Sequence, residues 1–290
     1  MQPVEFAGPA AVADALDAAG YLPDTGLATA AFLAMRMRRP LFLEGDPGVG
    51  KTALAHALAA VTDATLVRLQ CYEGIDASQA LYDWDFPRQI LHLRAAADSE
   101  DHAALEASLY DRRFLVARPI LQALEHSPSV LLIDEIDRAD DEFEAFLLEA
   151  LADNAVTIPE LGTITAEIPP LVVITSNRTR EVHDALKRRC LYHWVPHPDF
   201  AREVAIVRRR IPEAAEQLVQ DVARAVARLR GANLLKPPGI AETIDWTQAL
   251  HVLGVRRLDP ATAEATLGAA LKYREDLVRV QRELAELLGG

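Results

Sequence analysis

The sequence predicts an α/β fold in which a parallel sheet is covered by helices on both faces, followed by a smaller all-helical C-terminal domain. Three observations predict it. Gly45-Asp46-Pro47-Gly48-Val49-Gly50-Lys51-Thr52 fills every fixed position of the pattern G-x-x-x-x-G-K-[ST], between a short apolar run and an Ala/Leu-rich one. Val130-Leu131-Leu132-Ile133 and Leu171-Val172-Val173-Ile174-Thr175 are short apolar runs bounded by polar residues, the pattern of strands buried on both faces. Beyond Pro198 no β-rich run occurs, and the segments 199–210, 213–229, 243–253 and 260–288 read as helices.

The elements come in order. Gly8-Pro9 opens a helix from Ala10 to Ala19, closed by Gly20, and Asp24 or Thr25 caps a second helix reaching Met37. Pro40–Glu44 is the first strand, the glycine-rich loop comes next, and Ala53–Val61 is the helix after the loop. Thr65–Leu69 alternates as a second strand. The pattern from Tyr72 to Ser127 is helical with interruptions at Trp84-Asp85-Phe86-Pro87 and a polar patch at Asp98–Asp101. Alternation on either side of Pro159-Glu160-Leu161-Gly162 places a β-hairpin within Asn154–Ile168. A helix is expected over Glu181–Cys190, and the domain boundary near Pro196–Pro198 divides the chain into residues 1–197 and 198–290.

Half of the 290 residues are hydrophobic and a quarter charged, ordinary for a folded chain, and the formal net charge is −13. That field repels nucleic acid and argues against a DNA-tracking role. The two cysteines, Cys71 and Cys190, have neither disulfide-framework nor metal-ligand spacing and are expected to be reduced thiols. No apolar run approaches the ~20 residues that span a bilayer, and Met1–Glu5 lacks a basic leader, so a cytoplasmic protein is expected.

The loop carries the chemistry. Its glycines let the backbone of Asp46, Pro47, Gly48, Val49, Gly50, Lys51, Thr52 and Ala53 wrap a triphosphate, with the unpaired N–H groups of a helix N-terminus offered to it. Lys51 reaches the outer phosphates, and the Thr52 hydroxyl suits Mg²⁺. Leu131-Leu132-Ile133-Asp134-Glu135 sets two carboxylates at the end of a central strand, where ligands of open α/β sheets bind. Asp134 would hold Mg²⁺, and Glu135 would orient and deprotonate an attacking water; the plainer alternative is a solvated acidic turn, since Asp137, Asp140 and Asp141 are close by. Asn177, ending Ile174-Thr175-Ser176-Asn177, is placed to sit between Glu135 and a γ-phosphate, or else simply caps a turn. Arg188 or Arg189 offers a guanidinium to a γ-phosphate, in cis or in trans, against the alternative of a basic helix end complementing its dipole. Two adjacent arginines do not share one helix face, so one of them is structural.

In this order, these residues resemble the AAA+ ATPases, and the chain is similar to the MoxR family, in particular its CoxD-type subgroup associated with maturation of the molybdenum–copper centre of carbon monoxide dehydrogenase. The resemblance runs from about Leu22 to Trp246. It is carried most specifically by Arg68–Gly74, Leu132–Arg138, Ile174–Glu181 and Ala185–Trp194. It implies the P-loop NTPase (AAA+) fold with a helical lid, a Walker A loop at Gly45–Thr52, Walker B at Leu131–Glu135 and sensor 1 at Asn177. Arg189 falls at the arginine finger, with Arg188 in reserve. ATP with Mg²⁺, a hexameric ring with nucleotide at each subunit boundary, a von Willebrand factor A-domain partner and a client metalloenzyme are likewise implied. Tyr82–Arg94 would be a helix-2 insert and Asn154–Ile168 the hairpin before sensor 1. One departure stands out: Gly239–Trp246 lacks the family's second-sensor arginine, with Lys236 the nearby substitute, so slow hydrolysis is expected.

Three functions are alternatives: a slow ATP-driven remodeller of a metalloenzyme, a nucleotide-switched binding scaffold with little hydrolysis, and a DNA-related AAA+ ATPase, which the net charge disfavours. A GTPase or small-molecule kinase fits less well. No Asn-Lys-x-Asp sequence occurs, and paired carboxylates suit water attack.

Overall fold

A computed structural model of the chain describes residues 5–96, 102–151 and 154–288; the polar patch at 98–101 lies outside them. The chain forms two compact units. One comprises Met1–Ala19, Pro23–Glu44 and Thr52–His193, the other Gly20–Leu22, Gly45–Lys51 and Trp194–Gly290.

The chain runs α1 (Pro9–Ala18), α2 (Thr25–Met37), β1 (Leu41–Glu44), α3 (Lys51–Val61), β2 (Thr65–Gln70), α4 (Ala77–Ala80), β3 (Tyr82–Trp84), α5 (Phe86–Ala95), α6 (His102–Ser108), β4 (Leu115–Ala117), α7 (Pro119–Glu125) and β5 (Ser129–Asp134). It continues with α8 (Asp141–Ala150), β6 (Ala155–Ile158), β7 (Gly162–Thr165), β8 (Leu171–Ser176), α9 (Asp184–Arg189) and β9 (Leu191–Trp194). Among the described residues the main sheet has five strands in the order β2-β5-β8-β1-β9. The pairs β2–β5, β5–β8 and β8–β1 are parallel. Every residue of β5 is buried, as its unbroken apolar run requires of a strand covered on both faces. The register sets Gln70 opposite Asp134, Ile133 opposite Ile174, and Glu44 opposite Ser176. The carboxyl ends of four neighbouring strands therefore share one edge of the sheet, the ligand-binding edge of such folds.

Local chemistry sets the ends of elements. Asp24 caps α2 by accepting from Leu27 N at 2.7 Å. Arg39 closes α9, donating to the carbonyls of Arg188 (2.8 Å), Arg189 (3.0 Å) and Cys190 (3.3 Å), a cation on the negative end of a helix. The hairpin forms where alternation placed it, β6 pairing with β7 through Ile158 and Gly162; Gly162 has φ +82, a value that glycine adopts without strain.

In several places the structure corrects the sequence reading. The stretch from Tyr72 to Ser127 is not only helical: β3 and β4 form an antiparallel pair. Strands of three residues carry too little alternation to register against the helices around them. Their side chains are held by ring contacts instead, Trp84 meeting Tyr110 edge-on at 5.4 Å. The helix expected over Glu181–Cys190 begins only at Asp184, where His183 Nδ1 accepts from Ala185 N. The residues before it are drawn off the helix path: Glu144 accepts from His183 N and pairs with Arg180. After this helix the chain enters a strand, β9, which lies beside β1 and starts with Leu191 N donating to Pro40 O at 2.8 Å.

The second unit holds α10 (Phe200–Arg210), α11 (Glu216–Gly231), α12 (Ile240–Val252), α13 (Pro260–Ala270) and α14 (Arg274–Leu288). The helix expected over 260–288 is two helices, since Leu271 turns to an extended conformation. Its core gathers Leu218, Val222, Val226, Trp246, Leu250 and Leu267. Glu203 is buried among these helices and fully partnered, by Arg230 through two bonds of 2.7 and 2.8 Å and by the Thr243 hydroxyl at 2.6 Å. Arg230 also donates to Pro238 O, anchoring the segment that enters α12.

Asp137 ties the turn after β5 to the exit of β8. It is 2% exposed and accepts from Asn177 N (3.1 Å), Thr179 N (2.8 Å) and the Thr179 hydroxyl (2.6 Å). Burial works to raise its pKa, but these donors outweigh burial and hold the carboxyl below its ordinary value of 3.8. A depressed carboxylate stabilises the fold above its unfolded pKa and loses that contribution as pH falls through the folded value. Asp137→Asn is therefore expected to lower stability by about 2 kcal/mol near neutrality. In urea unfolding followed by circular dichroism, the gap between variant and wild type should close as the pH drops below about 4. A gap independent of pH would contradict the assignment.

Candidate functional site

The loop between β1 and α3 is built on three glycines. Gly48 and Gly50 have φ of +79 and +95, conformations that side chains strain to adopt. A Cβ on Gly45 would lie 2.4 Å from Val195 O. Asp46 and Pro47 are exposed, Gly48 and Gly50 half-buried, and Val49 is buried beneath them. Lys51 is 6% exposed, and its ammonium donates to the carbonyls of Gly45 (2.7 Å) and Asp46 (2.8 Å), so the charge is drawn into the mouth of the loop. A buried ammonium in a concave backbone nest fits a polyphosphate. Thr52 and Ala53 come next, in the first turn of α3. In the same unit the start of α12 touches the loop. Ala241 N donates to Gly48 O at 3.3 Å, and a Cβ on Gly239 would meet Pro47 O at 2.8 Å. The nearest charged side chain there is a carboxylate, since a Cβ on Gly48 would come within 3.1 Å of Glu242. Lys236, the residue considered for the second sensor, is bound through its backbone N to Asp276 at 3.1 Å. His197 Nε2 lies 3.2 Å from Asp46. Burial, with Arg230 nearby, depresses its pKa below the ordinary histidine value, so the ring is neutral at pH 7.

At the carboxyl edge of the sheet, Asp134 is 3% exposed and fully engaged. Its Oδ1 accepts from the hydroxyls of Thr175 (2.6 Å) and Thr52 (3.1 Å). Its Oδ2 accepts from Arg68 Nε (3.1 Å) and Nη2 (2.5 Å). A threonine hydroxyl beside a buried carboxylate is the hard-oxygen pair that suits Mg²⁺. Glu135, with φ +57, leaves the strand in a left-handed conformation, and its backbone N donates to Thr175 Oγ1 at 2.9 Å. This turn swings its carboxylate away from Asp134 and toward Asn177. Asn177 Nδ2 donates to Oε1 at 3.2 Å; Gln70 Nε2 (3.1 Å) and Arg138 Nε (2.8 Å) reach Oε2. Asp134, Glu135, Asn177 and Thr52 are thus brought together. The acidic turn is no mere solvated surface: Asp137 is buried, and Asp140 caps α8 through Phe143 N.

The two arginines separate. The Arg188 side chain is 82% exposed, with Asp184 3.9 Å away. Arg189 lies against its own chain, donating to Leu148 O at 2.6 Å. One residue before the pair, Lys187 meets Glu44 at 3.1 Å; that carboxylate is 6% exposed, and Arg178 pairs with it too, at 3.0 Å. One buried carboxylate thereby joins the end of β1, the residue after Asn177 and the helix bearing the arginines. Cys71 donates its backbone N to Asp134 O at 2.9 Å. Burial and, after it, the carboxylates beginning with Asp134 push its thiol up to about 12, which keeps it protonated near neutrality.

Sequence reasoning gave no role to Arg68, Gln70, Thr175, Asp137 or Thr179. A signal existed for the first two. Polar side chains two apart at the end of a strand, in register with Leu132 and Asp134, lie on one face beside the acidic pair.

Comparison with known proteins agrees with this geometry. The family model of the AAA domain (dynein-related subfamily) matches residues 40–190, just over half of the chain. Midasin of Giardia intestinalis is 50% identical over 48 residues, which are 17% of this chain and 1% of that protein. The gas vesicle ATPase GvpN1 of Halobacterium salinarum is 24% identical over 201 residues, 66% of this chain and 56% of that protein. The chain thus covers at most about half the length of these curated relatives. A RuvB mutant of Thermotoga maritima superposes with a TM-score of 0.51 at 19% identity, covering 91% of this chain and 75% of that one, a likeness of fold. Among the described residues no helix is long and apolar enough to cross a membrane. With a P-loop, a parallel sheet ending in Asp134-Glu135 and this match, the chain belongs to the dynein-related subfamily of AAA domains, an ATPase family that uses ATP with Mg²⁺.

Proposed function

We propose that this protein is an ATP-hydrolysing chaperone of the MoxR type that remodels a partner metalloenzyme while its metal centre matures. The client is a molybdenum hydroxylase such as carbon monoxide dehydrogenase. The observation that supports hydrolysis best is the placement of Glu135, next to the metal-type carboxylate of Asp134 and hydrogen-bonded to Asn177. The client assignment rests on the CoxD-like stretches of sequence, and the net charge of −13 favours a protein partner over nucleic acid.

The residues divide the work. Lys51 and the backbone of Asp46–Ala53, with its N–H groups other than at Pro47, hold the triphosphate. Thr52 and Asp134 would hold Mg²⁺, which neutralises phosphate charge when bound with ATP. Glu135 accepts a proton from water as its oxygen attacks the γ-phosphorus. The bond to the β–γ bridging oxygen breaks, and ADP leaves with the electron pair. Asn177 fixes the direction of the Glu135 carboxylate. The Arg188–Arg189 pair reaches the γ-phosphate of a neighbouring protomer, with Arg189 the finger and Arg188 second in line. That heterologous contact closes a homo-oligomeric ring, taken to be hexameric and cytoplasmic, with a von Willebrand factor A-domain protein as adaptor. Residues 198–290 act as the lid. A second reading, a scaffold switched by nucleotide with little turnover, is favoured by one observation: α12 presents Gly239, Ala241 and Glu242 to the loop, not an arginine.

Lys51→Ala should abolish ATP binding, whereas Glu135→Gln should keep binding and lose at least about 100-fold in kcat; turnover surviving both changes overturns the assignment. Mixing Lys51→Ala protomers with Arg189→Ala or Arg188→Ala protomers should restore turnover for the arginine that acts in trans, since intact fingers then face intact pockets. No restoration by either mixture contradicts the ring mechanism. Capture with the Glu135→Gln form from its host should recover a molybdenum hydroxylase, and partner release by a non-hydrolysable analogue as fast as by ATP would select the scaffold instead.

A further inference from the structure

We propose that Arg68 is a tethered cation that competes with Mg²⁺ for Asp134, so that metal uptake requires its guanidinium to leave. The inference rests on the ATPase reading and concerns the regulation of that same site.

Asp134 has little unused acceptor capacity. Two hydroxyls hold Oδ1, and Arg68 holds Oδ2 through two nitrogens at 3.1 and 2.5 Å. The carboxylate is 4% exposed, whereas the Arg68 side chain is 51% exposed. The partners are therefore unequal. The carboxylate cannot turn away to water, but the guanidinium already stands half in solvent and departs at modest cost. An arginine stays protonated at any working pH, so pH does not open this latch; a stronger cation does. A divalent ion offered to a buried carboxylate and a neighbouring hydroxyl is such a cation.

The position of Arg68 makes the competition direct. It lies on β2 opposite Leu132, two residues before Gln70, which is opposite Asp134, so both side chains line the edge where Asp134 ends its strand. The same Nη2 that binds Asp134 also donates to Gln70 Oε1, and Gln70 in turn holds Glu135. Arg68 thus links the metal-type carboxylate with the one that faces water, and its departure loosens both at once. Neighbouring arginines are engaged elsewhere: Arg138 pairs with Glu135, and Arg178 with Glu44.

The test measures metal binding without turnover. Full-length protein saturated with ADP is titrated with MgCl₂ in a calorimeter. For Arg68→Gln the half-saturating Mg²⁺ concentration should fall by about three- to tenfold, and Arg68→Lys, which keeps the charge but loses the fork, should lie between. ADP affinity in EDTA should not change. An unaltered or raised half-saturating concentration in Arg68→Gln overturns the proposal, because Arg68 would then merely orient Asp134. If the wild type fails to bind ADP, or binds it equally after Lys51→Ala, the ATPase reading itself falls, a result separate from the Arg68 comparison.

Discussion

Asp134 is a charge placed where charges are expensive. It sits at the end of a strand buried throughout, 3% exposed, and an unpartnered carboxylate there would cost several kcal/mol. Its environment is built to avoid that cost. Hydroxyls from β8 and α3 serve one oxygen and a guanidinium from β2 serves the other, while its backbone carbonyl accepts from Cys71. The side-chain partners come from different elements, so the carboxylate fixes the ends of β2 and β8 and the start of α3 relative to β5. Thr175 extends the arrangement by holding the backbone N of Glu135, and the left-handed turn at Glu135 then aims its carboxylate at Asn177. The carboxylate proposed for the metal and the one proposed for water are separated by one peptide bond and by that turn.

Two further buried acids do comparable work nearby. Asp137 fixes the Asn177–Thr179 segment through three donors, and Glu44 fixes Arg178 and Lys187 from the end of β1. The sheet edge is therefore held by carboxylates whose partners lie on other segments. Removing one partner strands a buried charge, which couples the geometry of Asn177 to that of the arginine-bearing helix.

Much of this was legible in the sequence, for physical reasons. The phosphate loop is specified by residue type at fixed spacing, and β5 and β8 by apolar runs too short for helices. The pair Asp134-Glu135 stood out because it ends one of those runs. The elements that escaped were encoded in contacts rather than periods. β3 and β4 are three residues each, and β9 comes directly after a basic helix end. The break at Leu271, whose side chain is buried in the helical core, is marked by no proline. Arg68, Gln70 and Thr175 look like ordinary strand residues until the register sets them beside Asp134. The two arginines were legible as a pair, but only packing separates them: Arg189 finds Leu148 O, and Arg188 stays in solvent.

The account is tested most directly by a crystal structure of the Glu135→Gln protein with ATP and Mg²⁺. It predicts the triphosphate within the loop at Lys51, the ion about 2.0–2.1 Å from Thr52 Oγ1, and Asp134 bound to the ion or to its water shell. Nucleotide bound elsewhere, or an ion remote from both Thr52 and Asp134, would contradict it.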